Sequence, residues 1–430
     1  MLDVETLGAA LKLAKKGGGV EEGGSGAVID DSKISSSTTW SSQKIVDTLC
    51  PPFTTSGAIV QCTPVANYPL SVQASWGPRQ EGSGDPSPDN IRPITGVDSV
   101  QVTRCGKNLL DISNMQTRTT KGITLKGITF QLENGGIHVS GTATSVTDSP
   151  IFEMFLPSGT YIGNLRSSTF SWLSSASFVV QKADGSRFYY ASSNPFTINE
   201  DEKPLYWYFA VDAGVNVDEI IYPQIELGST ATPYEPYTGS AAMLTLPETI
   251  YGGTVDAVTG EGAKTIHRAV LDGTEEWVLN AQMKDSGING YQIALEFLAD
   301  DSYTCICSHF GGMKWDGILK EDSVSVTSQV MVVRTNGSET LEDWKSYLAA
   351  QYAAGTPVTI AYKLATPTAF HATGGQSLPA LPGTNTVYTD AGVVTVSGLS
   401  DTVETFNALE NRIAALEEAA AALEEAAISG

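Results

Sequence analysis

The sequence predicts a mainly β protein: an elongated multi-domain chain of β-sandwich or jelly-roll modules, with a short N-terminal helix and a C-terminal coiled coil. Three observations predict it. Short apolar runs with period-two alternation recur along most of the chain, as half-buried strands require. Charged residues make up only 17%, below the roughly 25% of an ordinary globular protein; Ser, Thr and Asn, with Gly 42 and Pro 20, take their place. These residues belong to turns and solvent-facing strand positions. Near the C-terminus the pattern switches to a heptad.

At 430 residues the chain exceeds what one core holds, so roughly three or more domains are expected. Lys and Arg number 25 against 48 Asp and Glu, a net charge of −23. That surface repels phosphate, and no basic cluster with interleaved aromatics offsets it, so no nucleic-acid partner is expected. No run approaches the roughly 20 apolar residues of a membrane span, and no membrane insertion is expected. The first residues lack the apolar region of a secretory signal. Cys50, Cys62, Cys105, Cys305 and Cys307 are an odd, scattered set and no disulfide framework. They suit synthesis in a reducing cytosol.

Residues 1–16 read as a docking helix. Asp3 and Glu5 lie in its first turn and Lys12, Lys15 and Lys16 in its last, complementing the macrodipole. Its one stripe (Val4, Leu7, Leu11, Ala14) needs a partner to stay folded. Residues 17–50 form a linker and a short connector helix: Gly17-Gly18-Gly19 stops the first helix, and Thr38 or Thr39 caps one carrying Trp40, Ile45 and Leu49.

Residues 51–104 read as a small β domain, with alternation over Ala58–Cys62 and Leu70–Trp76 and a closing strand at Ser99–Thr103. The loop over 82–90 carries Asp85 and Asp89; a Ser-Asp-Pro loop of this kind does not ordinarily hold calcium. Residues 105–238 read as a jelly roll resembling carbohydrate-binding domains. Strand patterns there include Ile128–Leu132, Ile137–Thr142, Phe178–Gln181 and Tyr206–Val211, separated by turns such as Asn134-Gly135. Residues 239–398 read as a second β-rich domain with one helix, 340–354. Thr340 and Asp343 approximate its capping box, Leu341, Trp344, Tyr347 and Leu348 its apolar face, and Gly355 and Pro357 its end.

Residues 399–430 read as a coiled coil. Phe406 and Ile413 stand at position a with Ala420 and Ala427, and Leu409, Leu416 and Leu423 stand at d; Arg412 at g reaches toward Glu417 at e of a neighbouring helix. Ile alternating with Ala at a does not choose between two and three strands. A homo-oligomer is expected, a trimer first and a dimer second.

Catalysis finds little footing. His138, His267, His309 and His371 are far apart in sequence, and no Gly-x-Ser-x-Gly turn is present. Acid pairs for a glycosidase are too numerous for any one to be selected. We expect no enzyme and no cofactor, a glycanase being the one serious exception. Cys305, Cys307 and His309 are the single metal-like cluster; with no second Cys pair, core packing is the favoured reading and no metal is assigned. Trp172, Tyr189, Tyr190, Tyr206, Trp207 and Tyr208 are the candidates for glycan binding, because C–H faces of sugars stack on aromatic rings. Neighbouring rings in Tyr206–Phe209 face opposite sides of the sheet, so one pair is either exposed or covered by a neighbour.

The run Pro78-Arg-Gln-Glu-Gly-Ser-Gly-Asp-Pro-Ser-Pro-Asp-Asn-Ile-Arg-Pro-Ile94, then Gly106-Lys-Asn-Leu-Leu-Asp111, resembles tail structural proteins of phages and prophages of Gram-positive gut bacteria. Thr39–Ile45, Leu246–Gly253, Tyr347–Val358 and Ala408–Glu417 extend the likeness in the same order. Tyr222-Pro-Gln-Ile-Glu226 through Tyr237 is similar to the closing strand of carbohydrate-binding jelly rolls. The resemblance implies a virion tail component, at the tail tip or baseplate, that takes part in host attachment. Its partners would be other tail proteins through the N-terminal segment, copies of itself, and cell-surface glycan through the jelly roll. The alternative is a purely architectural tail component that binds no sugar.

Overall fold

The computed structural model describes residues 28–29, 38–39, 50–115, 123–147, 152–166, 178–181, 187–190, 194–199, 205–285, 288–315, 320–336, 340–404, 407, 410–411 and 413–414. The protein is mainly β, with its strands paired mostly antiparallel. Three sheet-built units share the described chain.

The central unit is a sandwich assembled from three separate stretches of sequence. One sheet runs Gly239–Ile250, Val97–Cys105, Asn385–Thr389, Ile59–Cys62. The other holds Gly253–Asp256, Ser71–Trp76, Val393–Leu399 and Pro52–Gly57 in that order. Alternation makes the core: Val72, Ala74 and Trp76 from one sheet meet Val100, Val102, Ala242 and Leu244 from the other, all buried. The segment 51–104 is therefore not a domain by itself. Its strands find partners only across the chain, at 239–256 and 385–399, because a half-buried strand must pair and cover its apolar face.

The second unit, 105–238, is inserted between two neighbouring strands of the central sheet. Six strands make one sheet, in the order Phe196–Ile198, Gly159–Arg166, Asn216–Leu227, Gly136–Thr142, Ile128–Glu133, Ile123–Leu125. Four make the other: Phe152–Met154, Leu205–Phe209, Phe178–Gln181, Arg187–Tyr190. Phe130, Val139, Tyr161 and Ile225 on one side and Val180, Leu205, Trp207 and Phe209 on the other form a single core. Asn134 and Gly135 turn the Ile128–Glu133 hairpin with φ of 51° and 75°, the left-handed pair a two-residue turn needs.

The third unit grows out of the second central sheet, which continues through Glu261–Leu271 and Val358–His371 to Ile306–Cys307. A five-stranded sheet, from Val278–Asp285 to Gly311–Gly312, faces it. The helix is Leu341–Ala353, with the reciprocal Thr340–Asp343 capping box in place. Its Trp344 packs among Trp277, Tyr291, Phe310 and Tyr347. The 239–398 segment is thus divided between two units: its ends belong to the central sandwich and its middle to the helix-backed one.

Thr38–Thr39 is not a helix cap. It is a short strand paired in parallel with Val28–Ile29, as suits β-branched residues. The 1–16 helix and the helix carrying Trp40, Ile45 and Leu49 lie outside the described residues.

Candidate functional site

Where the inserted sandwich joins the central unit, two chain crossings lie side by side. Strand Val97–Cys105 runs directly into Gly106-Lys-Asn-Leu-Leu-Asp111, and the chain returns through Tyr234-Glu-Pro-Tyr237 into Gly239–Ile250. Gly239 pairs with Cys105, and the Gly106 amide donates to the Thr238 carbonyl at 2.9 Å. Asn108, buried, holds the crossings together. Its Nδ2 donates to the carbonyls of Pro223 and Glu235 at 3.3 and 3.0 Å. Its Oδ1 accepts from the amides of Leu110 and Ile225 at 3.0 and 3.2 Å.

The residues after Tyr222 are fixed the same way. Glu226 accepts from Gln224 Nε2 at 2.9 Å and from the Thr232 amide and hydroxyl, both at 2.7 Å. Gln224 Oε1 accepts from the Glu235 amide at 2.7 Å. Buried polar side chains satisfied this fully rigidify what they join. The Pro-Gln-Ile-Glu motif thus serves to pin the loop that carries Tyr234 and Tyr237.

Two clefts open at this junction. One, of about 620 Å³, is lined by Arg104, Asn108, Asp111, Tyr234, Tyr237 and Leu381 among others. The other, of about 580 Å³, is lined by Asp111, Phe155, Tyr237, Tyr388 and Asp390 among others. They share Leu110, Asp111, Tyr237 and Gly239. The Tyr237 hydroxyl sits over Gly239 so closely that a Cβ there would collide with it; Gly239 is what lets the ring lie down. Tyr234 packs on Tyr222 with ring centroids 5.4 Å apart. Phe155 stacks on Tyr388 at 6.3 Å. Burial raises the phenols of Tyr237 and Tyr388 above their ordinary range, so both are neutral hydrogen-bonding groups at neutral pH.

Arg104 continues the inward series Val100, Val102 of its strand and is 5% exposed. Its Nε and Nη1 have no hydrogen-bond partner, and burial lowers its pKa. No protein-family model, curated protein or solved structure matches the chain.

Trp207, a glycan-binding candidate from sequence, is corrected by the structure. It is fully buried in the sandwich core, edge-on to Phe196 at 6.1 Å, because Leu205, Trp207 and Phe209 are the inward residues of their strand. A ring with no exposed face stacks on no sugar. Tyr206, the outward neighbour, is half-buried. The backbone register sets Tyr189 and Tyr208 on either side of Val179, and Tyr190 opposite Phe178. Trp172 lies outside the described residues, as do Phe406, Leu409, Leu416 and Leu423 of the heptad; Ile413 is helical and 55% exposed.

Cys305 and Cys307 sit in the core of the helix-backed unit. Cys305 Sγ donates to the Val324 carbonyl at 3.4 Å. Burial pushes the two thiols up to about 12 and about 11, which disfavours the thiolate a metal needs. His309 is buried beside them with Nδ1 paired to Ser308 Oγ at 2.8 Å. Burial lowers its pKa, and the Gln351 side chain opposes that.

The junction residues were missed because period and composition carry no trace of two distant crossings meeting. One signal was present in the sequence: a charged residue at an inward position of an alternating strand, Val100-x-Val102-x-Arg104.

Proposed function

We propose that the chain is a virion tail component of a phage of Gram-positive bacteria. It takes part in host attachment by holding cell-surface glycan in the junction cleft. The observation that carries the glycan reading is the lining of that cleft. Tyr234 and Tyr237 offer aromatic surface at the mouth, and Asp111 and Thr238 supply polar atoms beside it. Rings that stack on sugar C–H faces, together with a few fixed polar groups, make a saccharide site. The tail assignment rests on the sequence resemblance, and the heptad suits a homo-oligomer, a trimer, that repeats the cleft around one axis. Avidity over several weak sites is how such an array grips a wall polymer.

The site belongs to binding, not to catalysis. The test is an array of Gram-positive wall polysaccharides probed with the full chain, since residues on both sides of the junction line the cleft. Binding that is lost in Tyr234→Ala is the expected result. A folded wild-type chain that retains no wall polysaccharide would leave the architectural reading standing instead.

A further inference from the structure

A guanidinium stays charged at any pH a folded protein sees. Held out of water without a partner, it is costly. Arg104 is in that position: nearly all of it is buried, with Nε and Nη1 unpartnered. Among the described residues no carboxylate forms an ion pair with it, and two acids at the crossings have partners of their own. Glu235 is held by Lys107 at 2.7 Å. Asp111 Oδ1 accepts from the amide and hydroxyl of Ser113 at 2.9 and 2.6 Å. Burial, not a charged partner, dominates the Arg104 environment.

The residue also lines the cleft of about 620 Å³, beside Asn108, Thr238 and Leu381. A partner for it would have to come through that cleft. We propose that the cleft takes an acidic glycan and that Arg104 is its anion contact, paired with an oxyanion of the saccharide. This rests on the reading of the cleft as a glycan site and narrows it to a class.

The guanidinium fork fits a carboxylate or a phosphate with two parallel N–H···O bonds, so the shared chemistry is an oxyanion on a sugar or polyol polymer. A chain of net charge −23 repels such a polymer at distance. Recognition must then come from a local cation, and a buried one is screened little by salt. Tyr234 and Tyr237 on the same walls take the uncharged ring or polyol stem.

The test titrates the full chain with two acidic probes and their neutral counterparts. These are tetragalacturonate against its methyl ester, and a glycerol-phosphate tetramer against maltotetraose. One acidic probe should bind at least about tenfold tighter than its counterpart, as a charged hydrogen-bonded pair implies; which one does so tells carboxylate from phosphate. Arg104→Leu should erase that preference while its Tm stays level or rises. Arg104→Lys, which keeps charge but loses the fork, should retain part of it, and it carries the test if the Leu variant does not fold.

Equal binding of acidic and neutral probes, or a preference that survives Arg104→Leu, overturns the inference. Wall glycan bound by the wild type with no preference for the acidic probes, and bound equally by Arg104→Leu, would sink this inference and leave the glycan reading intact. Glucuronate and inorganic phosphate raising the wild-type Tm but not that of Arg104→Leu, with no glycan bound on the array, would overturn the glycan reading and the acidic-glycan assignment with it, leaving Arg104 as an anion contact alone.

Discussion

Two arginines in neighbouring stretches of the central region meet opposite fates. Arg92 is wrapped by its own loop. Its Nε donates to the Glu81 carbonyl at 2.9 Å, Nη1 to Gly84 at 2.6 Å, and Nη2 to Gly82 and Gln80 at 3.0 and 3.4 Å. Asn90 Nδ2 takes the carbonyls of Ser83 and Asp85 at 3.1 and 2.9 Å. The loop's main-chain carbonyls are thus gathered around a guanidinium and an amide. Arg104 is more deeply buried, yet two of its nitrogens have no partner. The charge of Arg92 is satisfied by its own loop; that of Arg104 is the one we assign to a ligand.

The aromatic residues divide along the same line. Trp207 and Trp344 are fully buried, ringed by other aromatic side chains. Tyr234 and Tyr237 are only half-buried at the mouth of the junction. The aromatic candidates read from sequence included Trp207 and left out Tyr234 and Tyr237; their surroundings separate the two groups.

The contrast can be broken by mutation. The largest effect is expected at Trp207→Ala, which removes the centre of the sandwich core and costs about 3–5 kcal/mol. Chemical unfolding measures it, and near-wild-type stability would mean the ring is not core. Next comes Arg92→Ala, which strips four carbonyls of a charged donor. About 2 kcal/mol of lost stability is expected, with new proteolytic cleavage within 80–92 and no change in glycan binding. Arg104→Leu should go the other way, raising stability by about 1 kcal/mol, since an unpaired buried charge is replaced by hydrocarbon. Destabilisation of the size seen for Arg92→Ala would erase the distinction between the two arginines.

The smallest effect belongs to a third kind of charge, a half-buried pair. Lys363 Nζ lies 2.7 Å from Asp300 Oδ2, and the Lys363 and Ser302 hydrogen bonds pull the Asp300 carboxyl down to about 2. A carboxylate held below its unfolded pKa stabilises the fold above that value, and the contribution fades as pH falls through about 2. Wild type and Asp300→Asn should differ slightly at neutral pH and converge toward pH 2 in acid unfolding curves. Because solvent screens the pair, its contribution is small.

Much of the local structure was legible in the sequence. Alternation found Ile59–Cys62, Ser71–Trp76, Ile128–Glu133 and Phe178–Gln181 to within a residue or so. Turn chemistry found Asn134-Gly135, and the cap at Thr340 found the helix. These features are set by residues within one turn or one strand of each other. Thr38–Thr39 was misread because a Thr pair before an apolar residue suits a cap and a strand alike.

Strand pairing lay beyond the sequence. A half-buried strand states which face is apolar but not which distant strand will cover it. The sequence therefore determined that the protein is a β chain punctuated by turns with one capped helix in its β-rich region. Only the tertiary structure decided that 51–104 closes against 239–256 and 385–399, and that the sandwich is threaded through that closure. The junction exists because of that threading: Cys105 and Gly239, far apart in sequence, are paired neighbours in one sheet. A cleft between two crossings, and an arginine stranded on its wall, are properties of pairing, which local residue patterns do not encode.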